Sequence, residues 1–360
     1  MSATATAASY SLLDRVLHRL AFSNIEIQKS LADIEDRIHA KRVGSIAIDR
    51  PVFITGLPRA GTTLLLDVLV RTSGFATHTY RCMPFVLCPI LWDSVSRGFR
   101  RPGESKERAH GDGMSVSYDS PEAFEEVLWT AFWPENYRAG RIELWRGSDR
   151  RDEFEQFFRN HIRKLIALSS TPDVSAPRYV SKNNANIARI PLLEKICPGA
   201  IFITPFRDPA NQATSLLRQH TRFVEMQAQD PFTRRYMDHI GHFEFGSGMR
   251  LIDFPPLGEA VKQADPTRAD FWLAYWIRAY GFLANSAGAI HFLDFDRLCA
   301  DPRQALSALA DRVHADRGLE QAAQEFHPAV TYDRAKIGFD NTLLAKADAL
   351  HAELSARSLC

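Results

Sequence analysis

The stretch from Pro51 to Leu66, PVFITGLPRAGTTLLL, constrains this chain more than any other. Its apolar start (Pro51, Val52, Phe53, Ile54) reads as a buried strand. Gly56, Pro58 and Gly61 break that strand into a tight loop, and Leu64, Leu65, Val68 and Leu69 open a helix. Strand, glycine loop and helix start together form an anion cradle: backbone N–H groups point into the loop, and the positive end of the helix dipole favours a phosphate there. The spacing Gly56-xxxx-Gly61-Thr62-Thr63 is that of a nucleotide phosphate loop with one departure. Thr62 stands where a lysine would reach the β- and γ-phosphates. Arg59 supplies positive charge from inside the loop instead, which suits a donor with fewer phosphates at that position than ATP.

The rest of the chain narrows the partners. Its 360 residues suffice for one large domain or two small ones. With 44 basic against 43 acidic residues there is no global basic field, so nucleic acid is not favoured as a partner, while local pockets for small anions stay open. The five cysteines (Cys82, Cys88, Cys197, Cys299, Cys360) are odd in number and lack zinc-site or redox-pair spacing, which fits reduced intracellular thiols. The N-terminus has no apolar run long enough for a signal peptide, and no stretch elsewhere is long enough to span a bilayer. The expectation is a cytoplasmic enzyme without a transmembrane segment.

Helical spacing marks Leu12 to Leu20 and Ile25 to Ile38, so residues 1–45 are expected to be N-terminal helices packed on a core unit covering residues 46–360. After the cradle helix, Phe75 to Tyr80 reads as a second strand and Met83 to Val95 as a helix. Arg97 to Ser120, rich in Gly, Ser and charge, reads as a long surface loop. Helices are expected from Ser120-Pro121 and over Asp152 to Ser169, then a strand from Arg178 to Ser181, a helix from Ile187 to Cys197 and an apolar strand from Ala200 to Pro205. Asp208-Pro209 caps a helix running to about Gln219. Residues 221–262 lack a sustained period and read as an acceptor-side insertion or lid. Thr267 to Ala287, a strand at Ile290 to Leu293, a helix at Asp301-Pro302 and a last helix at Leu343 to Ser358 follow. Strands alternating with helices point to an α/β fold with one doubly wound parallel sheet.

GLPRAGTTLL closely resembles the 5′-phosphosulfate loop of sulfotransferases, which use 3′-phosphoadenosine 5′-phosphosulfate (PAPS). The likeness extends to YVSKNNANIARIPLLEKICPGAIFITPFRDPANQATSLL, with a lysine at a strand end, a helix, a core strand, an Arg-Asp turn and a serine. It extends again to HFLDFDRLCADPRQALSALA, so that the blocks span most of Pro51 to roughly Arg312. The nearest likeness is to the broad group holding bacterial and tyrosylprotein-type enzymes. It implies a P-loop-like doubly wound parallel sheet flanked by helices with helical insertions. It also implies that Arg59, Ala60, Gly61, Thr62 and Thr63 hold the 5′-phosphosulfate, that Lys182 stabilises the bridging oxygen as the sulfuryl group departs, and that Arg207 and Ser215 bind the 3′-phosphate. Physical chemistry supports these placements. A guanidinium just before a helix N-terminus can bind a dianion bidentately, and a lysine at a strand end lies where ligands gather in such sheets.

The base is less defined. Tyrosylprotein-type relatives carry a glutamate in the region matching Phe75 to Pro84, where this chain has GFATHTYRCMP without a carboxylate and His78 lies nearest. Cytosolic relatives carry a histidine two residues after the lysine, a position held here by Asn184. His110, Glu122 and Glu125 are further candidates, and Asn183, Asn184 and Asn186 are candidate polar lining. The resulting expectation is sulfuryl transfer from PAPS, without a metal, to a hydroxyl (in second place an amine) of a small-molecule or lipid-like acceptor, with a homodimer left open. A P-loop kinase or nucleotide hydrolase, using IHFLDFD as its acidic strand, and a non-catalytic nucleotide-binding protein are the alternatives.

Overall fold

The computed structural model describes residues 12–98, 106–107, 115–116, 120–170, 177–255, 265–286, 288, 290–315, 317–328 and 330–360. Helices α1 (Leu12–Ser23), α2 (Ile25–Ile38) and α3 (Ala40–Gly44) lead into β1 (Val52–Ile54), and α4 (Thr62–Ser73) follows the glycine loop. Then come α5 (Pro89–Ser96), the two-residue strands β2 (Lys106–Glu107) and β3 (Ser115–Val116), α6 (Glu125–Phe132), β4 (Tyr137–Arg138), β5 (Arg141–Ile142) and α7 (Asp152–Ser169). β6 (Val180–Lys182), α8 (Ile190–Ile196), β7 (Ile201–Phe206), α9 (Pro209–Gln229), α10 (Pro231–Ile240), β8 (Leu251–Ile252), α11 (Ala269–Ala284) and β9 (Ile290–Asp294) complete the centre. The chain closes with α12 (Phe295–Ala300), α13 (Pro302–Val313), α14 (Arg334–Ile337) and α15 (Asn341–Ala356).

The central sheet has the order β6-β1-β7-β9, every pair parallel, with Ile54 in register with both Lys182 and Ile203. Parallel strands need helices on both faces, and their residues are accordingly apolar in both directions. Phe53, Phe202 and Phe292 enter the larger core with α6, α7, α9 and α11. Val52, Ile54, Ile203 and Leu293 enter a second core with α4 and α13. This is the α/β, parallel-sheet architecture expected from the alternation of strands and helices.

Several local expectations change. Phe75 to Tyr80 is no strand: one parallel bridge, Ala76 to Tyr179, is all that extends the sheet edge, and Thr79 bridges instead to Pro121. The helix expected from Met83 begins only at Pro89, which occupies its first turn. The helix expected at Pro121 begins at Glu125. α9 runs ten residues past its expected end, so the segment 221–262 starts as continuous helix. Asp208 caps α9 as expected, accepting from Asn211 N at 2.9 Å. The N-terminal helices are held by a buried cation: Lys164 of α7 meets Glu35 at 2.9 Å and Asp36 at 2.5 Å on α2. Among the described residues no helix is long and apolar enough to cross a membrane.

Candidate functional site

The glycine loop lies at the carboxyl end of β1, the edge where ligands bind in open parallel sheets. Gly61 precedes α4 at φ +78°, a conformation that disfavours side chains, and an added Cβ would fall 1.9 Å from the Phe295 ring. Only glycine lets the loop meet the helix there. The loop is also tied from behind by Gln212 of α9, a fully buried residue. Its amide donates to the carbonyls of Leu57 (3.3 Å) and Pro58 (2.9 Å), and its oxygen accepts from Arg207 N (3.2 Å) and Trp276 Nε1 (2.9 Å). All hydrogen-bonding sites of this side chain are thus engaged in joining the loop to β7 and α11. Reading the sequence missed Gln212, since a glutamine in a helical turn carries no distinguishing signal.

Arg59, Arg207 and Ser215, widely spaced in sequence, come together at the loop. Arg59 Nε donates to Ser215 Oγ at 3.1 Å, and Arg207 Nη1 donates to the Arg59 carbonyl at 3.3 Å. Arg207 is mostly buried and is not an isolated cation. Its Nε faces Asp296 Oδ1 at 3.3 Å and its Nη2 donates to the Val330 carbonyl at 3.2 Å. Asp296 in turn accepts from Asp208 N at 2.7 Å, so the carboxylate orients the guanidinium beside the N-terminus of α9. Ala60 is fully buried under the loop.

Lys182 ends β6, level with Ile54 across the sheet, and is 7% exposed. It lines one cleft with Arg59, Thr62 and Thr63. The backbone just after it is clamped: Asn183 Nδ2 donates to Glu126 Oε2 at 2.7 Å, and the same oxygen meets Arg189 Nη2 at 2.5 Å. Arg189 is itself sandwiched between Trp129 (4.3 Å) and Trp145 (4.7 Å).

The far wall of this cleft comes from the segment after α10. Gly241 ends α10 at φ +77°, and a Cβ there would sit 2.4 Å from the Glu126 side chain. The sharp turn delivers His242 and Glu244 to the cleft that the loop and Lys182 also line. His242 Nδ1 lies 3.9 Å from Glu244 Oε2, and Glu244 Oε1 accepts from Asn184 Nδ2 at 2.9 Å. A histidine backed by a carboxylate is a general-base arrangement, and catalytic hydrogen bonds are commonly long before substrate binds. This pair was not found from sequence. The one usable signal was a glycine helix stop followed directly by a histidine, in IGHFEF. Next to the cleft, and sharing Pro58, Asn184, Glu244 and Phe245 with it, lies a mainly apolar chamber walled by Leu216, Trp272 and Tyr275.

The other base candidates stand elsewhere. His78 is 1% exposed and does not line the cleft; its Nε2 meets His161 Nε2 at 2.8 Å. Burial holds its imidazole down to about 3, so it stays neutral in the fold for lack of solvation. His78, expected as a candidate base, thus stands apart from the cleft, with its ring against His161 and Tyr179. Glu122 accepts from Tyr80 OH (2.6 Å) and Ala123 N (2.8 Å), and Glu125 accepts from Asn186, Tyr179 and Trp129. Both serve buried networks. His110 and most of the loop around it lie outside the described residues. Asp294, the acid a kinase would need, caps α12 and accepts from Ser355 Oγ at 2.8 Å.

Comparison with known proteins adds to this geometry. The model of the Sulfotransferase family matches residues 51–251, more than half of the chain. A sulfotransferase from Mycobacterium tuberculosis superposes with a TM-score of 0.52 at 15% identity, over 96% of this chain and 88% of that one. Another from Mycobacterium avium gives 0.52 at 14% identity, over 97% and 87%. These likenesses concern the fold. No curated protein sequence matches.

Proposed function

The chain belongs to the sulfotransferase family, and from that premise we propose that it moves a sulfuryl group from PAPS to a hydroxyl of a small-molecule or lipid-like acceptor. One observation carries the reading: Arg59, Thr62, Thr63, Lys182, His242 and Glu244 line a single cleft. Cations and loop amides on one wall suit a phosphosulfate, and a carboxylate-backed imidazole on the other suits a nucleophile that must lose a proton. PAPS supplies an activated sulfuryl group on a phosphate leaving group.

Arg59, Thr62, Thr63 and the loop amides hold the 5′-phosphosulfate; Arg207 and Ser215 hold the 3′-phosphate. Lys182 meets the charge that grows on the departing bridging oxygen, a cation fixed in place before reaction. His242, its Nδ1–H turned to Glu244, takes the acceptor proton at Nε2 as the acceptor oxygen bonds to sulfur and the bond from sulfur to the bridging oxygen breaks. Glu244 stabilises the imidazolium that results.

Calorimetry with adenosine 3′,5′-bisphosphate (PAP), AMP and ATP, paired with PAP release from PAPS over a panel of phenols and alcohols, tests this. PAP is expected to bind more tightly than AMP or ATP, and equally well in EDTA. Tight binding of ATP with Mg²⁺ alongside loss of PAP binding in chelator would replace this reading with the kinase one.

A further inference from the structure

Asn184 sits where the cleft meets the apolar chamber and lines both. Its Nδ2 donates to Glu244 Oε1, an acceptor-only group, and that bond fixes which end of the amide is which. Oδ1 then points away from Glu244. It is buried, on a residue only 5% exposed, and has no hydrogen-bond partner. Buried carbonyl oxygens are nearly always paired, so an orphan at the wall of a ligand cleft marks a place for a donor the protein does not provide. The backbone around it is well anchored. Thr55 Oγ1 donates to the Asn184 carbonyl at 3.4 Å, and Asn183 is clamped to Glu126. The orphan oxygen is therefore held on a fixed scaffold.

His242 and Asn184 flank the same carboxylate, one at each oxygen. Both residues line the cleft, so an acceptor that reaches His242 lies along the wall to which Asn184 belongs. We infer that Asn184 Oδ1 accepts a hydrogen bond from a second O–H or N–H of the acceptor, one or two carbons from the hydroxyl that is sulfated. The preferred substrate class is thus the vicinal diol, catechol or N-acylated amino alcohol, with its apolar body toward the chamber wall formed by Leu216, Trp272 and Tyr275. Asn184 acts as a specificity residue, and the proton removed in the reaction belongs to His242. The inference rests on the sulfotransferase reading for the identity of the reacting group; the orphan oxygen stands without it.

The test is a binding ratio, so it needs no turnover. Catechol, phenol and guaiacol are titrated into PAP-loaded protein by calorimetry, with 1,2-decanediol and 1-decanol as an aliphatic pair. Phenol lacks the second donor and is smaller; guaiacol has it methylated and is larger, so bulk and hydrogen bonding separate. Catechol, or the diol of the aliphatic pair, is expected to bind about tenfold more tightly than its partners. Asn184→Ala is expected to bring that ratio close to one while PAP affinity and Tm report an intact fold. Wild type that discriminates in neither series overturns the inference, as does a ratio unchanged in Asn184→Ala. The wild-type ratio alone keeps the test decisive if the variant does not fold. Failure of the sulfotransferase reading would show separately, as absent PAP binding and no PAP release from PAPS, and the ratio can then be measured on the free protein.

Discussion

The two walls of the cleft are built by different means. The donor wall stands on strand ends, the loop after β1 and Lys182 at the end of β6, with Arg207 between β7 and α9 bonded to the loop behind it. Each position follows from a parallel sheet, whose carboxyl edge gathers loops and helix N-termini. The acceptor wall has no such origin. His242, Glu244 and Phe245 come from the turn after α10, and their aim depends on Gly241 packing against Glu126. If the proposed reaction holds, the difference teaches that phosphosulfate binding rests on the topology, whereas acceptor choice and proton removal rest on one irregular segment. Such segments can vary without disturbing the sheet.

The sharpest way to break that division is to exchange the histidines. His242→Ala is expected to slow the chemical step by about 10²–10⁴-fold and to leave PAP affinity nearly unchanged. His78→Ala should keep the rate of that step in whatever protein remains folded, and lower the Tm, because it empties a fully buried site beside His161. Single-turnover kinetics and thermal melts on both variants decide it. A full rate in His242→Ala, or a collapsed rate in folded His78→Ala, would move the base away from the acceptor wall.

The donor wall is probed next, with a smaller effect. Charge-assisted hydrogen bonds contribute about 1.5–3 kcal/mol each, so Arg207→Ala should weaken PAP by roughly 10- to 150-fold. AMP, which lacks the 3′-phosphate, should lose much less. The quantity to measure is the PAP-to-AMP affinity ratio, because general damage moves both ligands alike. The contacts of Arg207 with Asp296 and the Val330 carbonyl make the other outcome concrete. A ratio indifferent to the substitution would mean the guanidinium is spent on holding that corner together.

How much of this was legible in the sequence follows the same line. Val52 to Leu69 could be read because strand, glycine turn and helix start are short-range features, and the Asp208-Pro209 cap placed the start of α9 for the same reason. Lys182, Arg207 and Ser215 were singled out through the resemblance to sulfotransferases, and the fold brings Lys182 to the cleft and Arg207 and Ser215 to Arg59. Gln212 could not, since its role arises only when α9 packs behind the loop. His242 and Glu244 lie in a stretch with no period, and their partnership with Asn184 spans 60 residues. The burial of His78 could not be read either, because a histidine's neighbours in sequence do not tell whether its ring meets solvent. Here it meets His161, 83 residues away.

The smallest effect is also the most direct check on that last point. In the fold, burial holds His78 down to about 3, and His161 is likewise held well below its ordinary value, by burial first and then by its neighbours His78 and Lys164. In the unfolded chain each titrates near 6.5. Between these values the unfolded chain binds protons that the folded one does not. For His78 that stability is therefore complete above about pH 6.5 and is lost as pH falls toward 3, at about 1.4 kcal/mol per pH unit. Between pH 7 and pH 5, His78 alone should cost wild type about 2 kcal/mol. Carboxylates add their own acid sensitivity, so the informative comparison is with His78→Gln, which can still hydrogen bond to His161 but cannot titrate. The variant should be the less stable protein at pH 7, and the gap in unfolding free energy from urea melts should narrow by about 2 kcal/mol at pH 5. A gap that stays constant would mean His78 takes up its proton in the native state with ordinary ease. It would then have access to solvent, and the distinction between a buried structural histidine and a cleft histidine would no longer hold.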